Sequence, residues 1–208
     1  MRKSLLFVTD NPHKKKRFTA YFGPLGLSVI TFSDLGKKLK VVEDGKSVTE
    51  NAVKKAMAGF RETGLASFGV DYWFRIEGLS KDLQPGPFVR RIFAGKGGER
   101  LEATDEEMIN YYQKIIKNLG GETKGVWTSA IALVVAPGTV FTQTFSRETL
   151  LTSKRSPKIT PGEPLNSLQI DKKTKKYFTD LTQEEWILLE TSSEKKYIDF
   201  MKKHLKNL

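Results

Sequence analysis

Four charged side chains, Lys14, Glu50, Lys55 and Asp71, have the types and settings that chemistry on a phosphate group needs. Lys14 follows an apolar run that ends abruptly, Ser4-Leu5-Leu6-Phe7-Val8-Thr9-Asp10-Asn11-Pro12-His13-Lys14. That pattern is a strand feeding a loop that opens a helix. Helix starts carry unpaired backbone N–H groups and a partial positive charge, so they attract anions. Lys14, Lys15, Lys16 and Arg17 add full charges at the same end; the competing reading is a solvated basic helix face. Glu50 closes Ser47-Val48-Thr49-Glu50, the S-x-x-E capping pattern, so helix capping is its simplest role. Asp71 interrupts Val70-Asp71-Tyr72-Trp73-Phe74, a β-forming run in which Asp is disfavoured and costly to bury alone. A strand end or a water-facing edge would explain it, and a metal or cationic partner would explain it more sharply. One carboxylate from a helix start and one from a strand can hold Mg²⁺ through oxygen, with waters and substrate phosphates completing the shell. Lys14 and Lys55 are the candidate phosphate clamps.

The elements that must position these groups are legible in outline. Ser4–Thr9 reads as a buried strand and Pro12–Phe22 as a helix, with Pro12 in the first turn where a missing N–H costs little. Leu27–Phe32 is a second short strand, and Val41–Val42 belong to a third. Ser47 starts a helix running to about Glu62, with Ala52, Lys55, Ala56 and Gly59 on one side, small enough for close packing on a sheet. Phe68–Ile76 is a strand, and Gln84-Pro85-Gly86-Pro87 breaks it from a short helix at Phe88–Phe93. Gly95–Gly98 reads as flexible. Thr104-Asp105-Glu106-Glu107 caps a helix that ends at Gly120-Gly121. Ser129–Ala136 is the strongest strand, and Val140–Thr149 is its hairpin partner through Pro137-Gly138. Arg155–Pro164 is a loop, Ser167–Ile170 a further strand, and Thr182 caps a last helix. The order β-α-β-α-β, then a hairpin, then a helix favours an α/β or mixed fold.

Composition bounds the answer. The 208 residues fit one domain with room for two lobes. No run of about 18 apolar residues is present, so no membrane partner is expected, and the N-terminal apolar stretch is short for a signal peptide. Zero cysteines exclude thiolate sites and cysteine nucleophiles and suit a reducing cytoplasm. Thirty-five Lys and Arg against 24 Asp and Glu give +11, which favours polyanionic partners. Much of that excess lies in segments such as 172–176 that lack the Arg and aromatic interleaving of a base-stacking groove. His13 and His204 are isolated, and no Walker A, GxGxxG, HExxH or CxxC pattern occurs.

In order along the chain, these pieces resemble the inosine triphosphate pyrophosphatase family, which hydrolyses aberrant purine nucleoside triphosphates. The T-x-N-x-x-K motif is Thr9 to Lys14, and E-N-A-x-x-K-A is Glu50 to Ala56. Asp71 falls at the second acid of the D-D-S-G strand motif. Pro85-Gly86-Pro87-Phe88-Val89-Arg90 fits the P-G-x-aromatic motif, and Leu181-Thr182-Gln183-Glu184-Glu185 fits L-T-x-E-E. The resemblance implies an α/β fold with an elongated central mixed β-sheet flanked by helices, two lobes with a cleft between them, and a homodimer. It implies hydrolysis of a nucleoside triphosphate, ITP, dITP or XTP among them, to the monophosphate and pyrophosphate with Mg²⁺. Thr9, Asn11 and Lys14 would cradle phosphates, and Lys55 would neutralise their charge. Glu50 and Asp71 would bind metal and position or deprotonate water. The chain departs from the pattern at Val70, which replaces the first acid, and at Tyr72-Trp73, which replace Ser-Gly. Glu163-Pro164-Leu165-Asn166-Ser167 stands where F-G-[YW]-D-P reads the base, with Asn166 at the Asp, the position implied to touch substrate. Glu190-Thr191-Ser192 replaces Ser-His-Arg, and Trp186 replaces the Lys before it. Two alternatives stay open: an inactive relative that binds a nucleotide or other anion, and a basic nucleic-acid-binding module.

Overall fold

A computed structural model describes residues 3–95 and 100–208, with the side chains of 94, 183 and 186–194 outside that description. Strand β1 (Lys3–Phe7) pairs in parallel with β2 (Leu27–Ile30) and with β3 (Ser67–Ile76). Helix α1 (Pro12–Phe22) links β1 to β2, and α2 (Val48–Thr63) precedes β3. After β3 come two short strands, β4 (Phe93–Ala94) and β5 (Arg100–Leu101), paired with each other, and helix α3 (Asp105–Asn118). Strands β6 (Glu122–Ala136) and β7 (Thr139–Thr152) form a hairpin across Pro137-Gly138, where Gly138 supplies φ 75°. Strand β8 (Gln169–Ile170) pairs antiparallel with β7, and α4 (Gln183–His204) closes the chain. The main sheet has the order β2-β1-β3-β6-β7-β8, so it is mixed and flanked by helices, as expected of this α/β chain.

The chain divides into two compact units. The first comprises 1–72, 129–145 and 188–208; the second comprises 73–128 and 146–187. The first unit's core is aromatic. Phe7 stacks on Phe68 at 4.3 Å, and Phe18 packs edge-on against Phe7 and Tyr197. The second unit packs Phe74, Ile109, Tyr112, Ile116 and Leu168, with Trp127 stacked on Phe74 at 4.3 Å.

Capping chemistry sets the helix starts as the sequence predicts. Thr104 and Glu107 close a reciprocal box at α3, and Thr182 and Glu185 do the same at α4. At α2 the box is only half closed. Ser47 Oγ accepts from the Glu50 amide, while the Glu50 carboxylate accepts from the Lys46 amide at 2.7 Å.

Two expected elements do not form. No helix occupies Phe88–Phe93; residues 88–92 are irregular and Phe93 begins β4. Long-range bonds replace the helical ones: Gly86 exchanges both backbone bonds with Phe74, and the Arg90 carbonyl accepts from Ala103. The Arg90 guanidinium donates to Asp105 at 2.7 Å and to the Gly162 carbonyl. Val41–Val42 is loop rather than strand, and Val42 is 68% exposed. Side-chain acceptors on α2 pin that loop, with Asn51 Oδ1 taking the Gly45 amide at 2.8 Å. The flexible stretch expected at Gly95–Gly98 lies mostly outside the described residues. No described helix is long and apolar enough to cross a membrane.

Candidate active site

Close main-chain contact builds the site. Gly69 and Asp71 are two apart on β3, so they share a face. A Cβ on Gly69 would lie 2.4 Å from the Ala52 carbonyl oxygen and 2.6 Å from the Lys55 Cβ. Only a glycine lets α2 lie that close, and the next residue on that face, Asp71, then meets the helix. A Cβ on Gly59 would meet Val8 Cγ2 at 2.5 Å and Leu6 Cδ2 at 3.2 Å, so α2 is seated on β1 and the residue after it as well. The small face predicted for Ala52, Ala56 and Gly59 is therefore buried against the sheet.

Asn51 and Lys55, four apart on one face of α2, both reach Asp71. Lys55 Nζ donates to Asp71 Oδ1 at 2.7 Å, and Asn51 Nδ2 donates to Oδ2 at 3.3 Å. The Lys55 and Asp71 side chains are 10% and 7% exposed, so this ion pair is largely desolvated. Glu43 Oε2 lies 3.2 Å from the same ammonium. Asp71 thus sits in the strand interior with partners, and neither a strand end nor a water-facing edge explains it.

Lys14 completes the group. Its ammonium stands over the Tyr72 ring, 4.7 Å from the centroid. Burial and then the Lys55 charge push its pKa down from 10.5 to about 8, against the opposing pull of Asp71 and Glu43. The neighbouring cations go elsewhere: Lys15 binds Asp34 at 2.6 Å and Lys16 is exposed. The helix start differs from the sequence reading. Asn11 Oδ1 accepts from the His13 and Lys14 amides, at 2.9 and 3.1 Å, and Thr9 Oγ1 accepts from the Asn11 amide. Those first-turn donors are occupied, so the positive character of this end rests on Lys14 rather than on bare N–H groups.

The remaining sequence candidates fall differently. Glu50 is exposed and turned to the Lys46 amide. Asn166 belongs to the second unit and is buried, with Nδ2 donating to Glu163 and Oδ1 accepting from Gln169. Trp186 and Glu190-Thr191-Ser192 have side chains outside the described residues. Two contributors escaped the sequence reading. Glu43, in Val41-Val42-Glu43-Asp44-Gly45, looks like one of several solvated loop charges. Asn51 carries a signal that could have found it, an amide beside a helix face of small residues, where Asn is a poor helix former.

The arrangement pairs two ammonium groups with two carboxylates. A polyphosphate would satisfy the first, and a hard cation the second. Among the described residues no three His, Cys, Asp or Glu side chains are grouped to hold a metal by themselves. One or two carboxylates can still contribute to a hard cation whose shell is completed by waters and phosphate oxygens. Each Asp71 oxygen keeps a lone pair beyond the bond it accepts.

The Ham1 family profile matches residues 5–160. The dITP/XTP pyrophosphatase of Lactiplantibacillus plantarum is 29% identical over 119 residues, 57% of this chain and 53% of that protein. The dITP/XTP pyrophosphatase of Bordetella parapertussis is 26% identical over 134 residues, 64% of this chain and 59% of that protein. The chain thus spans little more than half the length of these curated relatives. A HAM1 protein from Coxiella burnetii has the same fold, with TM-score 0.79 at 18% identity over 97% of this chain and 99% of that one. The Ham1 protein of Staphylococcus aureus aligns at TM-score 0.70 and 18% identity, over 93% and 100% of the two chains. With three-quarters of its length matched by the profile and its motifs assembled on this fold, the chain belongs to the Ham1 family.

Proposed function

We propose that this chain is a nucleoside triphosphate pyrophosphohydrolase acting on purine nucleotides of the dITP, ITP or XTP kind. The observation that carries the reading is the desolvated Lys55–Asp71 pair, with Glu43 beside Lys55 and Lys14 near enough to feel the charges of all three. The two curated relatives named as dITP/XTP pyrophosphatases support the substrate class. Lys14 and Lys55 bind the triphosphate, and Thr9 and Asn11 hold the loop from which Lys14 springs. Asp71, with Glu50 and Glu43 as further oxygen donors, would hold Mg²⁺, which supplies charge neutralisation on the phosphates when bound. Asp71 orients the attacking water and accepts its proton. The water oxygen bonds to phosphorus as the α–β anhydride bond breaks, leaving the monophosphate and pyrophosphate. Positioning and charge neutralisation suffice for phosphoryl chemistry of this kind, so no covalent nucleophile is needed. Asn166 is the candidate base contact, its amide held by Glu163 and Gln169. Residues 1–208 act as one domain, as a homodimer in the cytoplasm.

The test is pyrophosphate release from ITP, dITP, XTP, ATP and GTP with Mg²⁺. Turnover of the first three above the last two, with pyrophosphate and not orthophosphate as product, is the expected result. Thermal stabilisation by nucleotide without turnover would favour the second reading, an inactive nucleotide-binding relative, to which Val70 in place of an acid lends support.

Lys14 gives this reading a pH signature. With its pKa at about 8 in the folded chain, Lys14 loses its proton near that pH, and a bound polyphosphate favours the charged form. Tripolyphosphate affinity should therefore fall as pH rises through 8, and binding near pH 8.5 should take up protons, seen as a buffer-dependent enthalpy in calorimetry. Lys14→Arg should remove the proton uptake. The sign for folding is opposite. Between pH 8 and 10.5 the unfolded chain holds a proton that the folded chain has released, so Lys14 contributes stability that rises with pH there.

A further inference from the structure

We propose that Tyr72 is a positioning residue for Lys14: its ring face fixes the ammonium at the place where it receives phosphate. The inference rests on the proposed function, because it assigns Lys14 to the polyphosphate, and it goes beyond it by naming what holds Lys14. A lysine side chain has four rotatable bonds, and a half-buried one is ordinarily fixed by a carboxylate. Lys14 is instead set against an aromatic face, with its ammonium 4.7 Å from the Tyr72 centroid. That is within cation–π range, and the attraction strengthens where water is excluded. The ring attracts a cation without accepting a conventional hydrogen bond, so this contact leaves the ammonium's donors for other partners.

The ring itself is anchored. Tyr72 directly follows Asp71 on β3, and its hydroxyl is hydrogen-bonded to that of Tyr197, which donates to Ser129 Oγ at 2.8 Å. Tyr197 is 4% exposed and packed between Phe18, Tyr21 and Phe145. The small residue of the D-D-S-G motif is thus replaced by one whose ring reaches α1 and whose hydroxyl reaches the aromatic core. The charged groups facing Lys14 are Lys55, Asp71, Glu43 and Arg17, and the Tyr72 ring is the uncharged partner among them.

The experiment titrates tripolyphosphate into the full chain with Tyr72 replaced by phenylalanine, 4-fluoro-, 3,5-difluoro- and 3,4,5-trifluorophenylalanine, and by leucine. Fluorination weakens the ring quadrupole at almost constant shape, so packing alone does not respond to it. Tyr72→Phe should bind within about twofold of the parent. Kd should rise stepwise with fluorination, and Tyr72→Leu should lose about 2- to 30-fold, the span of a cation–π contact of about 0.5–2 kcal/mol. The KM for nucleotide should rise in parallel, with kcat within about twofold. In a Lys14→Met background the series should be flat. Should Tyr72→Leu not fold, the fluorinated series still decides. A flat series on the Lys14 chain overturns the proposal, and so does tightening with fluorination, which would mean that the ring competes with phosphate for the ammonium. If the parent binds and hydrolyses nucleotide while the series stays flat, the Tyr72 assignment alone fails. A parent that neither binds tripolyphosphate nor releases pyrophosphate overturns the functional reading as well.

Discussion

Asp71→Asn should lower pyrophosphate release roughly 10²- to 10³-fold, the loss typical of removing one preorganised electrostatic group from a reaction centre. The amide is nearly isosteric, and its oxygen can still accept from Lys55, so the helix and strand stay together. What disappears is the negative charge, and with it a strong cation ligand and a proton acceptor for water. Lys55 keeps Glu43 at 3.2 Å, so its own charge is not abandoned. Steady-state pyrophosphate release measured beside a thermal melt separates the two effects. Activity within about threefold of the parent would remove Asp71 from the reaction, and a large drop in Tm would mean that the loss was structural.

Lys55→Met should cost stability as well as the phosphate contact assigned to Lys55. The methionine stem fills the same space, but Asp71 is left 7% exposed with Asn51 as its donor and Glu43 as a nearby like charge. Removing one member of a buried pair costs about 3–5 kcal/mol, because the other charge stays desolvated. For a chain of this size that corresponds to a fall in Tm of about 6–20 °C. Adding Asp71→Leu to the same chain should restore most of the loss, since replacing both members by apolar groups is often close to neutral. Denaturant melts of the two single variants and the double variant form a cycle that isolates the pairwise coupling. A Lys55→Met midpoint equal to the parent's would mean that water already screens the pair.

Local signals in the sequence carried much of the fold. Ser47, Thr104 and Thr182 mark helix starts because a hydroxyl cap depends only on residues three positions away. Pro137-Gly138 marks the hairpin for a similar reason. The helix expected at Phe88–Phe93 does not form: Gly86 just before it is bonded to Phe74, the Arg90 carbonyl accepts from Ala103 and the Arg90 guanidinium donates to Gly162, partners no local window contains. In the site, Asp71 was legible as a carboxylate out of place and Lys55 by its share of a small-residue face. Glu43 was not, since its meaning comes from Lys55, twelve residues on and reached only after the loop folds back. Glu50 shows the converse: its capping pattern was easy to read, yet its carboxylate turns to Lys46, not to the Ser47 amide that a closed box would use.

The bare Cα of Gly69 beneath Ala52 and Lys55 has a thermodynamic consequence. With no rotamer-bearing layer between helix and strand, the gap across which Lys55 faces Asp71 is set by polypeptide backbone in direct contact. Side-chain repacking cannot widen it. If the proposed polyphosphate binds here, it meets Lys55 and Asp71 at a separation fixed beforehand, and little ordering entropy has to be surrendered on association.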